Sequence, residues 1–335
     1  MSIFSLGDLA QSYMLQRRGL ELKNEMSRLN AELTSGQISD VKSVLAGNFS
    51  YLSDIENDLK TLTGFKVATS EAAQFADASQ IALERVHDTA SALGTKVLTG
   101  ASIAVGPVLD QIIFDAEGDL DAILSALNTS QGGRSLFSGT ATDMAAMVDT
   151  STLLTNLRSA TAGATSPGNL ITMADAWFDD PAGFAATSYL GSNDSLSAFR
   201  LSSTETVGVS ITANDAVLRN LLRSVAVTVI VSDAAYGFDD AEKRVALKTI
   251  GDDLFQSQAE LTALRANVGS AQARIDTITV RNAAEETSLR FAKGALLNAD
   301  PYETATKLED VQFKLQSLYT VTARMSDLSL VNFIR

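Results

Sequence analysis

Apolar residues between Leu247 and Leu296 recur at alternating steps of three and four positions. The apolar members of this register are Leu247, Ile250, Leu254, Leu261, Leu264, Val268, Ile275, Ile278, Leu289 and Leu296. Its remaining places hold Ser257, Ala271, Asn282, Glu285 and Ala292. A narrow apolar seam with this spacing is typical of a coiled coil. Because no proline lies between Pro181 and Pro301, the pattern predicts one long helix that needs partner helices of similar length.

The N-terminal part of the chain repeats this periodicity. A first helix is expected to end near Ser35-Gly36, because glycine readily takes the left-handed position after a helix. A second helix is expected to start near Val41 and to continue through the alanine-rich stretch from Lys66 to Leu98. The seam of the first helix is predicted to consist of Leu15, Leu22, Met26, Leu29 and Leu33.

Two glycine-containing segments frame a third predicted helix. Gly100 to Pro107 is predicted to be a loop, and Val108 to Leu127 has the pattern of an amphipathic helix. We interpret Gly132-Gly133 as a stop signal for this helix.

The pattern of residues in the sequence changes after Gly139. Heptads vanish, and Thr204 to Ala213 alternates Val207, Val209 and Ile211 with small or polar residues, which is typical of a strand. This region is expected to hold a small core of its own, and helical character resumes at a plausible N-cap, Asn214-Asp215. The residues expected to nucleate that core are Trp177, Phe178, Phe184, Tyr189 and Phe199.

The last helix is predicted to start at Asp300-Pro301, where an acidic N-cap precedes a proline. Its seam contains Leu308, Val311, Leu315, Leu318 and Met325. The chain stays apolar to its end, through Leu328, Leu330 and Phe333, which favours a partner that covers this tail.

These patterns predict a mainly α fold, in which the N- and C-terminal helices form a long antiparallel coiled-coil bundle and a smaller mixed β insert domain lies in the middle. We expect five segments. They are an N-terminal helix segment (1–40), the N-terminal part of a helical rod (41–139), the insert domain (140–214), the C-terminal part of the rod (215–299) and a C-terminal terminal helix (300–335).

Charge supports this division. The 335 residues carry a net charge of −14, yet residues 1–45 hold five basic and five acidic side chains and residues 246–335 hold ten and eleven. Almost all of the negative charge therefore lies in the middle. Near-neutral ends can pack against copies of themselves, whereas an acidic protein is a poor match for nucleic acid. The N-terminus lacks the features of a cleaved signal peptide, and no apolar run is long enough to insert into a membrane.

The sequence offers little chemistry. It has no cysteine, and His87, the single histidine, is expected to serve packing or the surface. No phosphate-binding glycine loop, nucleophile elbow or dinucleotide fingerprint is present. The acidic pairs Asp179-Asp180, Asp239-Asp240 and Asp252-Asp253 lack the alternating spacing of a calcium-binding loop. We therefore expect no enzyme activity, no catalytic or metal-binding residues and no cofactor.

Three segments outside the insert resemble bacterial flagellins and their relatives. From Asp300 to Arg335 the resemblance rests on the Asp-Pro-Tyr-Glu-Thr-Ala helix start, the spacing of Gln312 and Gln316, and the closing Leu-Ser-Leu-Val-Asn-Phe-Ile-Arg. Leu264 to Ile275 is similar to the penultimate helix of that family, and Leu29 to Gly36 is similar to its N-terminal helix turn. The resemblance covers about 220 residues and ends at the insert.

Within this superfamily the chain resembles the hook-filament junction family, hook-associated protein type 3, more than the filament flagellins. The segment Gly133-Arg-Ser-Leu-Phe-Ser-Gly-Thr140, followed by Thr142-Asp143, carries this closer resemblance. The chain also departs from flagellins, with Ile3-Phe-Ser-Leu6 where they begin Ile-Asn-Thr-Asn, and Ser39-Asp-Val-Lys42 in place of Asp-Asp-Pro-Ala.

The resemblance implies a structural component of the bacterial flagellum that is exported unfolded by the type III apparatus, without a cleaved signal, to the extracellular flagellum. A cytoplasmic chaperone would hold its C-terminal helix, and a ring of copies would adjoin another hook-associated protein on the hook side and flagellin on the filament side. The expected interface or chaperone-binding residues are Leu15, Leu22, Leu29, Leu308, Val311, Leu315, Leu318, Met325, Leu328, Leu330 and Phe333.

In the single chain the terminal helices, roughly 1–35 and 303–335, are expected to lack neighbours for their seams and to be largely disordered or chaperone-bound, so that folding is coupled to assembly. Three alternatives remain open. They are a minor filament flagellin, a helical anchor that presents an adhesive insert, and a cytoplasmic coiled-coil scaffold.

Overall fold

The structure is a computed structural model, and it describes residues 3–45, 49–103 and 106–333. Side chains are described for residues 10–42, 45, 49–102 and 106–325. The elements in chain order are α1 (Ile3–Ser35), α2 (Val41–Val44), α3 (Ser50–Ile103), α4 (Pro107–Leu127), β1 (Ser130–Gln131), β2 (Arg134–Ser135), α5 (Thr150–Thr161), α6 (Pro167–Asp179), α7 (Phe184–Thr187), β3 (Phe199–Arg200), β4 (Thr206–Val207), α8 (Ala216–Ile230), α9 (Asp240–Leu297) and α10 (Pro301–Phe333). The predicted mainly α fold with a small β-containing insert is confirmed.

Contacts divide the chain into two compact units. Unit 1 contains residues 1–61 and 284–335, and unit 2 contains residues 62–283. The helices α3 and α9 each contribute residues to both units. The five-segment division read from the sequence remains a prediction.

Helix ends in unit 1 follow the local sequence signals. Helix α1 ends at Ser35, where Gly36 takes a φ of 70° and donates its N–H to the Glu32 carbonyl at 2.8 Å. Helix α10 begins at Pro301, and the carboxylate of Asp300 accepts hydrogen bonds from the backbone N–H groups of Tyr302 and Glu303 at 2.8 and 3.1 Å. Both predicted boundaries are confirmed.

Two predicted boundaries are wrong. The helix expected to start near Val41 is the four-residue α2, and the long helix α3 begins only at Ser50. The loop expected from Gly100 to Pro107 is also too long. Helix α3 continues through Gly100 to Ile103, and α4 begins directly at Pro107. One glycine costs a helix only about 1 kcal/mol, so a long packed helix tolerates Gly100 in its last turn.

Gly132-Gly133 has a different role from the predicted helix stop. The two glycines connect β1 to β2, which pair antiparallel with Gln131 opposite Arg134. Their φ angles of 59° and 80° suit the two-residue turn that joins the strands of a hairpin. Helix α4 has already ended, at Leu127.

The insert does not have a separate core. Its aromatic residues do cluster, since the Trp177 ring lies 4.9 Å from Phe178 and 6.0 Å from Phe184. However, Phe199 packs against Phe75 of α3 with ring centroids 5.9 Å apart. The insert, α3, α4, α8 and α9 thus share one continuous cluster of buried side chains. Short amphipathic helices cannot bury their apolar faces against each other alone, so they pack on the long helices.

The strand expected from Thr204 to Ala213 forms only in part. β4 covers Thr206–Val207 and pairs antiparallel with β3. Beyond it Val209 and Ile211 are still buried on alternate positions, as the pattern predicts. The side chains therefore follow the strand periodicity although this stretch pairs with no strand among the residues described.

The seam of α9 is buried from Leu247 to Asn282, with Leu264 partly buried, and becomes more exposed beyond it. Asn282 occupies a seam position, and its side-chain N–H donates to the carbonyl oxygen of Leu201 at 2.9 Å. Close by, Arg281 forms an ion pair with Glu205 at 2.9 Å. The polar place in the seam is therefore where the β3–β4 hairpin is attached to α9.

A charged cluster connects α6, α8 and α9. The guanidinium of Arg223 lies 2.9 Å from Asp175 and 3.2 Å from Asp253. Burial raises the pKa of Asp175 above its usual value of 3.8, the nearby carboxylates of Asp253 and Asp179 raise it further, and Arg223 opposes this shift. The positive charge of Arg223 thus offsets the repulsion between the neighbouring carboxylates of Asp175 and Asp253.

Replacing Arg223 by methionine is expected to destabilise the protein by about 1–3 kcal/mol, because the two carboxylates then face each other without a cation. Asp175→Asn should leave the melting temperature at pH 7 unchanged or raise it. A carboxyl whose folded pKa lies above its unfolded pKa costs stability at pH values above both, and this cost disappears as the pH falls through the folded pKa. Thermal unfolding followed by circular dichroism at pH 7 and pH 4 tests both variants. Equal destabilisation by Arg223→Met and Asp175→Asn at pH 7 would contradict this assignment.

Candidate assembly interface

Helices α1 and α10 pack against each other through the predicted seam residues. Leu22, Leu29, Leu308, Val311 and Leu315 form one buried apolar cluster, and Met26 and Leu318 pack against its edge. Both helices have the heptad spacing of a coiled coil, so each covers the narrow stripe of the other. Five of the eleven predicted interface residues thus lie together inside the pair.

The remaining predicted interface residues lie at the edge of this cluster or beyond it. Leu318 is half-buried, as are Leu15 and Met325 further along the two helices. The side-chain nitrogen of Gln11 on α1 lies 3.9 Å from the sulfur of Met325 on α10. Helix α10 continues to Phe333, but Leu328, Leu330 and Phe333 lie outside the described side chains.

The expectation that the terminal seams lack a neighbour in the single chain is wrong for this structure. The seam of α1 is covered by α10 over the cluster from Leu22 to Leu29. The physical reason is that two antiparallel helices with the same heptad spacing satisfy each other. Surface that remains for contacts with other molecules must therefore lie on the outer faces of the pair.

Large apolar side chains do lie on those outer faces. Phe313 is 69% exposed and Tyr302 is 85% exposed, and their separation of 11 residues is close to three helical turns, which places them on one side of α10. On α1, Tyr13 and Leu20 are exposed one heptad apart. Sequence reasoning concentrated on the seam and missed these residues. The signal available was the presence of aromatic residues at places outside the heptad register.

Charged side chains on both helices are paired mainly within their own helix. Arg28 contacts Glu32 at 2.8 Å and Glu25 at 3.8 Å, and Lys307 lies 2.7 Å from Glu303. Among the side chains described here, no ion pair joins α1 to α10. Lys23 does lie over the ring of Tyr319, 5.8 Å from its centroid. Apolar contact is therefore the main attraction between the two helices.

The described residues offer little for catalysis or ligand binding. They contain no group of three histidine or acidic side chains that could hold a metal ion. His87 is half-buried on α3, as its position in the sequence suggested, and its Nδ1 has no partner within the described residues. An open groove of about 390 Å³ between α3 and α9 is lined by Asp77, Gln272 and Asp276 together with Ile275 and small residues. The side-chain amide of Gln272 donates a hydrogen bond to Asp77 at 2.6 Å, so one of the two carboxylates in the groove already has a partner.

Within the described residues, no helix combines the length and the apolar character that crossing a bilayer requires.

The C-terminal helices are similar to those of a known protein family. Residues 254–334, which comprise most of α9 and all of α10, match the bacterial flagellin C-terminal helical region. The predicted resemblance to the flagellin superfamily is thereby confirmed for this segment. No curated protein sequence matches the chain.

Two solved structures are similar to this chain over most of its length. One is a protein of Vibrio parahaemolyticus described as a flagellar hook-associated protein, with 17% sequence identity, a TM-score of 0.50, and coverage of 75% of this chain and 99% of that one. The other is FlgL of Bacillus cereus, with 12% identity, a TM-score of 0.53, and coverage of 72% and 100%. At these identities the matches establish a shared fold. The predicted likeness to hook-associated proteins is therefore supported at the level of the fold.

Proposed function

We propose that this protein is a non-enzymatic structural component of the bacterial flagellum, an adaptor that joins the hook to the filament. The observation that carries the proposal is the α1–α10 pair, in which the two ends of the chain form a coiled coil whose outer faces still expose large apolar residues. Exposed apolar surface of this kind is typical of protein–protein contact. The flagellin-type match of residues 254–334 supports a place in the flagellum.

We further propose that copies of the chain form a ring through the terminal helix pair. Its outer faces would contact neighbouring copies, another hook-associated protein on the hook side and flagellin on the filament side. The seam residues Leu22, Leu29, Leu308, Val311 and Leu315 would then act indirectly, by holding the pair together. The proposed route is export to the extracellular flagellum, with a cytoplasmic chaperone at the C-terminal helix beforehand.

The junction role is favoured over that of a minor flagellin by the segment that carried the closer resemblance. Leu136, Phe137 and Ser138 are buried, and Gly139 has a positive φ beside the backbone of residues 192–194. The segment Gly133 to Thr140 is therefore a specific structural feature that joins the hairpin to the core of unit 2. The similarity to the two solved structures, of which one is described as hook-associated, is in keeping with this choice.

Labelling intact flagella with an antibody to this protein tests the proposal. We expect a single labelled band between hook and filament in electron micrographs, and hooks without filaments when the protein is removed. Label along the whole filament would instead indicate a minor flagellin. Absence of label from flagella, with the protein retained in the cytoplasm, would overturn the proposal. Binding of the isolated protein to glycans or cells, without flagellar label, would favour the adhesive alternative.

A further inference from the structure

The turn after α1 and the turn before α10 are joined by backbone hydrogen bonds. The N–H of Ile38 donates to the carbonyl of Leu297 at 2.8 Å, and the N–H of Ala299 donates to the carbonyl of Gly36 at 2.9 Å. These bonds place Gln37 and Asn298 opposite each other in an antiparallel bridge. We call residues 36–39 and 297–300 the clasp.

Glu32 fastens one side of the clasp. Its side chain is almost fully buried, at 5% exposure, although glutamate is rarely buried without a partner. Its Oε1 accepts hydrogen bonds from the backbone N–H of Ser39 at 2.9 Å and from the guanidinium of Arg28 at 2.8 Å. Hydrogen bonds to an ionised carboxylate are among the stronger ones in proteins. The motif Glu32 to Gly36 therefore has a physical role, since the glutamate holds the turn that the glycine begins.

The clasp and the helix pair share one antiparallel register. Three facing pairs lie at different distances along the helices, namely Gln37 with Asn298, a Cβ placed on Gly19 with Leu318 at 3.5 Å, and Gln11 with Met325 at 3.9 Å. The two residue numbers of each pair add up to between 335 and 337. The alignment fixed at the clasp therefore persists along the described length of both helices.

The apolar seam alone does not specify this register. In the observed alignment Leu22 lies level with the turn between Val311 and Leu315. A slide of α10 by seven residues would bring Leu29 to that place, because Leu15, Leu22 and Leu29 are spaced by heptads. Apolar residues would again face apolar residues. A helix pair with such a repeat needs a specific polar or backbone contact to select one alignment.

We infer that the clasp, fastened by the Glu32 carboxylate, selects the register of α1 against α10. A slip of seven residues would shift one helix by about 10 Å and would break every hydrogen bond of the clasp. It would also change the relative positions of the exposed residues Tyr13, Leu20, Tyr302 and Phe313. The inference concerns the single chain and does not depend on the proposed flagellar function.

Distance measurement between two spin labels in the full-length protein tests this inference. The sequence has no cysteine, so Asn24→Cys and Gln312→Cys provide the only two labelling sites. Both positions are exposed and lie level with each other in the observed register. The distance is measured by double electron–electron resonance in the parent, in Glu32→Ala and in Glu32→Leu. The leucine variant places an apolar side chain of similar size at the buried position, without the carboxylate.

The parent is expected to give one narrow distance distribution, and both Glu32 variants should show a second population with an axial offset of about 10 Å. Glu25→Ala is the matched control, because Glu25 lies one heptad before Glu32 and also contacts Arg28, at 3.8 Å, without reaching the clasp. It should give the parent distribution. A single unchanged distance in the Glu32 variants would overturn the inference. A broad distribution with loss of helical circular dichroism would also overturn it, since Glu32 would then support helix formation and not register.

Discussion

Replacing Val311 and Leu315 together by serine is expected to separate α1 from α10 and, under the proposed function, to prevent incorporation of the protein into flagella. Both side chains are buried in the five-residue cluster between the helices. Truncating a buried aliphatic side chain costs about 2–5 kcal/mol, and serine adds a hydroxyl to the seam. A helix pair with so small a core is not expected to stay together after two such losses of stabilising free energy. Hydrogen exchange of the α1 amides should become fast, while that of unit 2 should remain unchanged.

Phe313→Ser is the matched control, because Phe313 lies between the two seam residues on the same helix but is exposed. This variant should keep slow exchange in α1. If the outer face of α10 contacts neighbouring subunits, Phe313→Ser should nevertheless lower incorporation into flagella. Unchanged exchange in the Val311→Ser, Leu315→Ser variant would show that the cluster does not hold the pair. Normal incorporation of that variant would contradict the proposed role of the pair in assembly.

The long helices were predictable because their signal is repeated many times. The register from Leu247 to Leu296 predicted α9, and the Asp300-Pro301 start predicted α10 to the residue. Single glycines were less informative. Gly100 lies inside a helix and Gly132-Gly133 forms a hairpin turn, because packing decides which backbone conformation a glycine takes.

The candidate interface was predictable only in part. Heptad spacing identified Leu22, Leu29 and Leu315 as seam residues and predicted an antiparallel bundle of the N- and C-terminal helices, but it did not show that α1 and α10 cover each other's seams in the single chain. That outcome depends on how the rest of the chain brings the two terminal helices together in three dimensions. The role of Glu32 was equally hidden, because a buried carboxylate is recognised only when its partners, such as Ser39, are seen beside it. The sequence pattern from Glu32 to Gly36 predicted where the helix ends, but it did not show what the glutamate does there.

Gly139→Ala is expected to destabilise unit 2 strongly. Gly139 has a φ of 61°, and a Cβ placed on it would lie 2.2 Å from the Ser192 carbonyl oxygen and 2.5 Å from that of Asp194. The same backbone forms hydrogen bonds here, from Thr140 to Asp194 at 3.0 Å and from Ser192 to Ser138 at 2.8 Å. The two backbone segments cannot move apart without losing these hydrogen bonds. We expect a loss of about 4 kcal/mol or more.

Gly132→Ala is the control that separates steric overlap from backbone strain. Gly132 has nearly the same φ, 59°, but a Cβ placed on it would meet nothing within 4 Å. It should cost only the roughly 1–2 kcal/mol of a left-handed non-glycine residue. Urea unfolding monitored by fluorescence reports on unit 2, because Trp177 is the single tryptophan and lies in the aromatic cluster of the insert. Equal losses for the two variants would mean that backbone strain alone explains Gly139. A markedly larger loss for Gly139→Ala would mean that the Gly133 to Thr140 segment depends on close backbone packing, which only glycine permits.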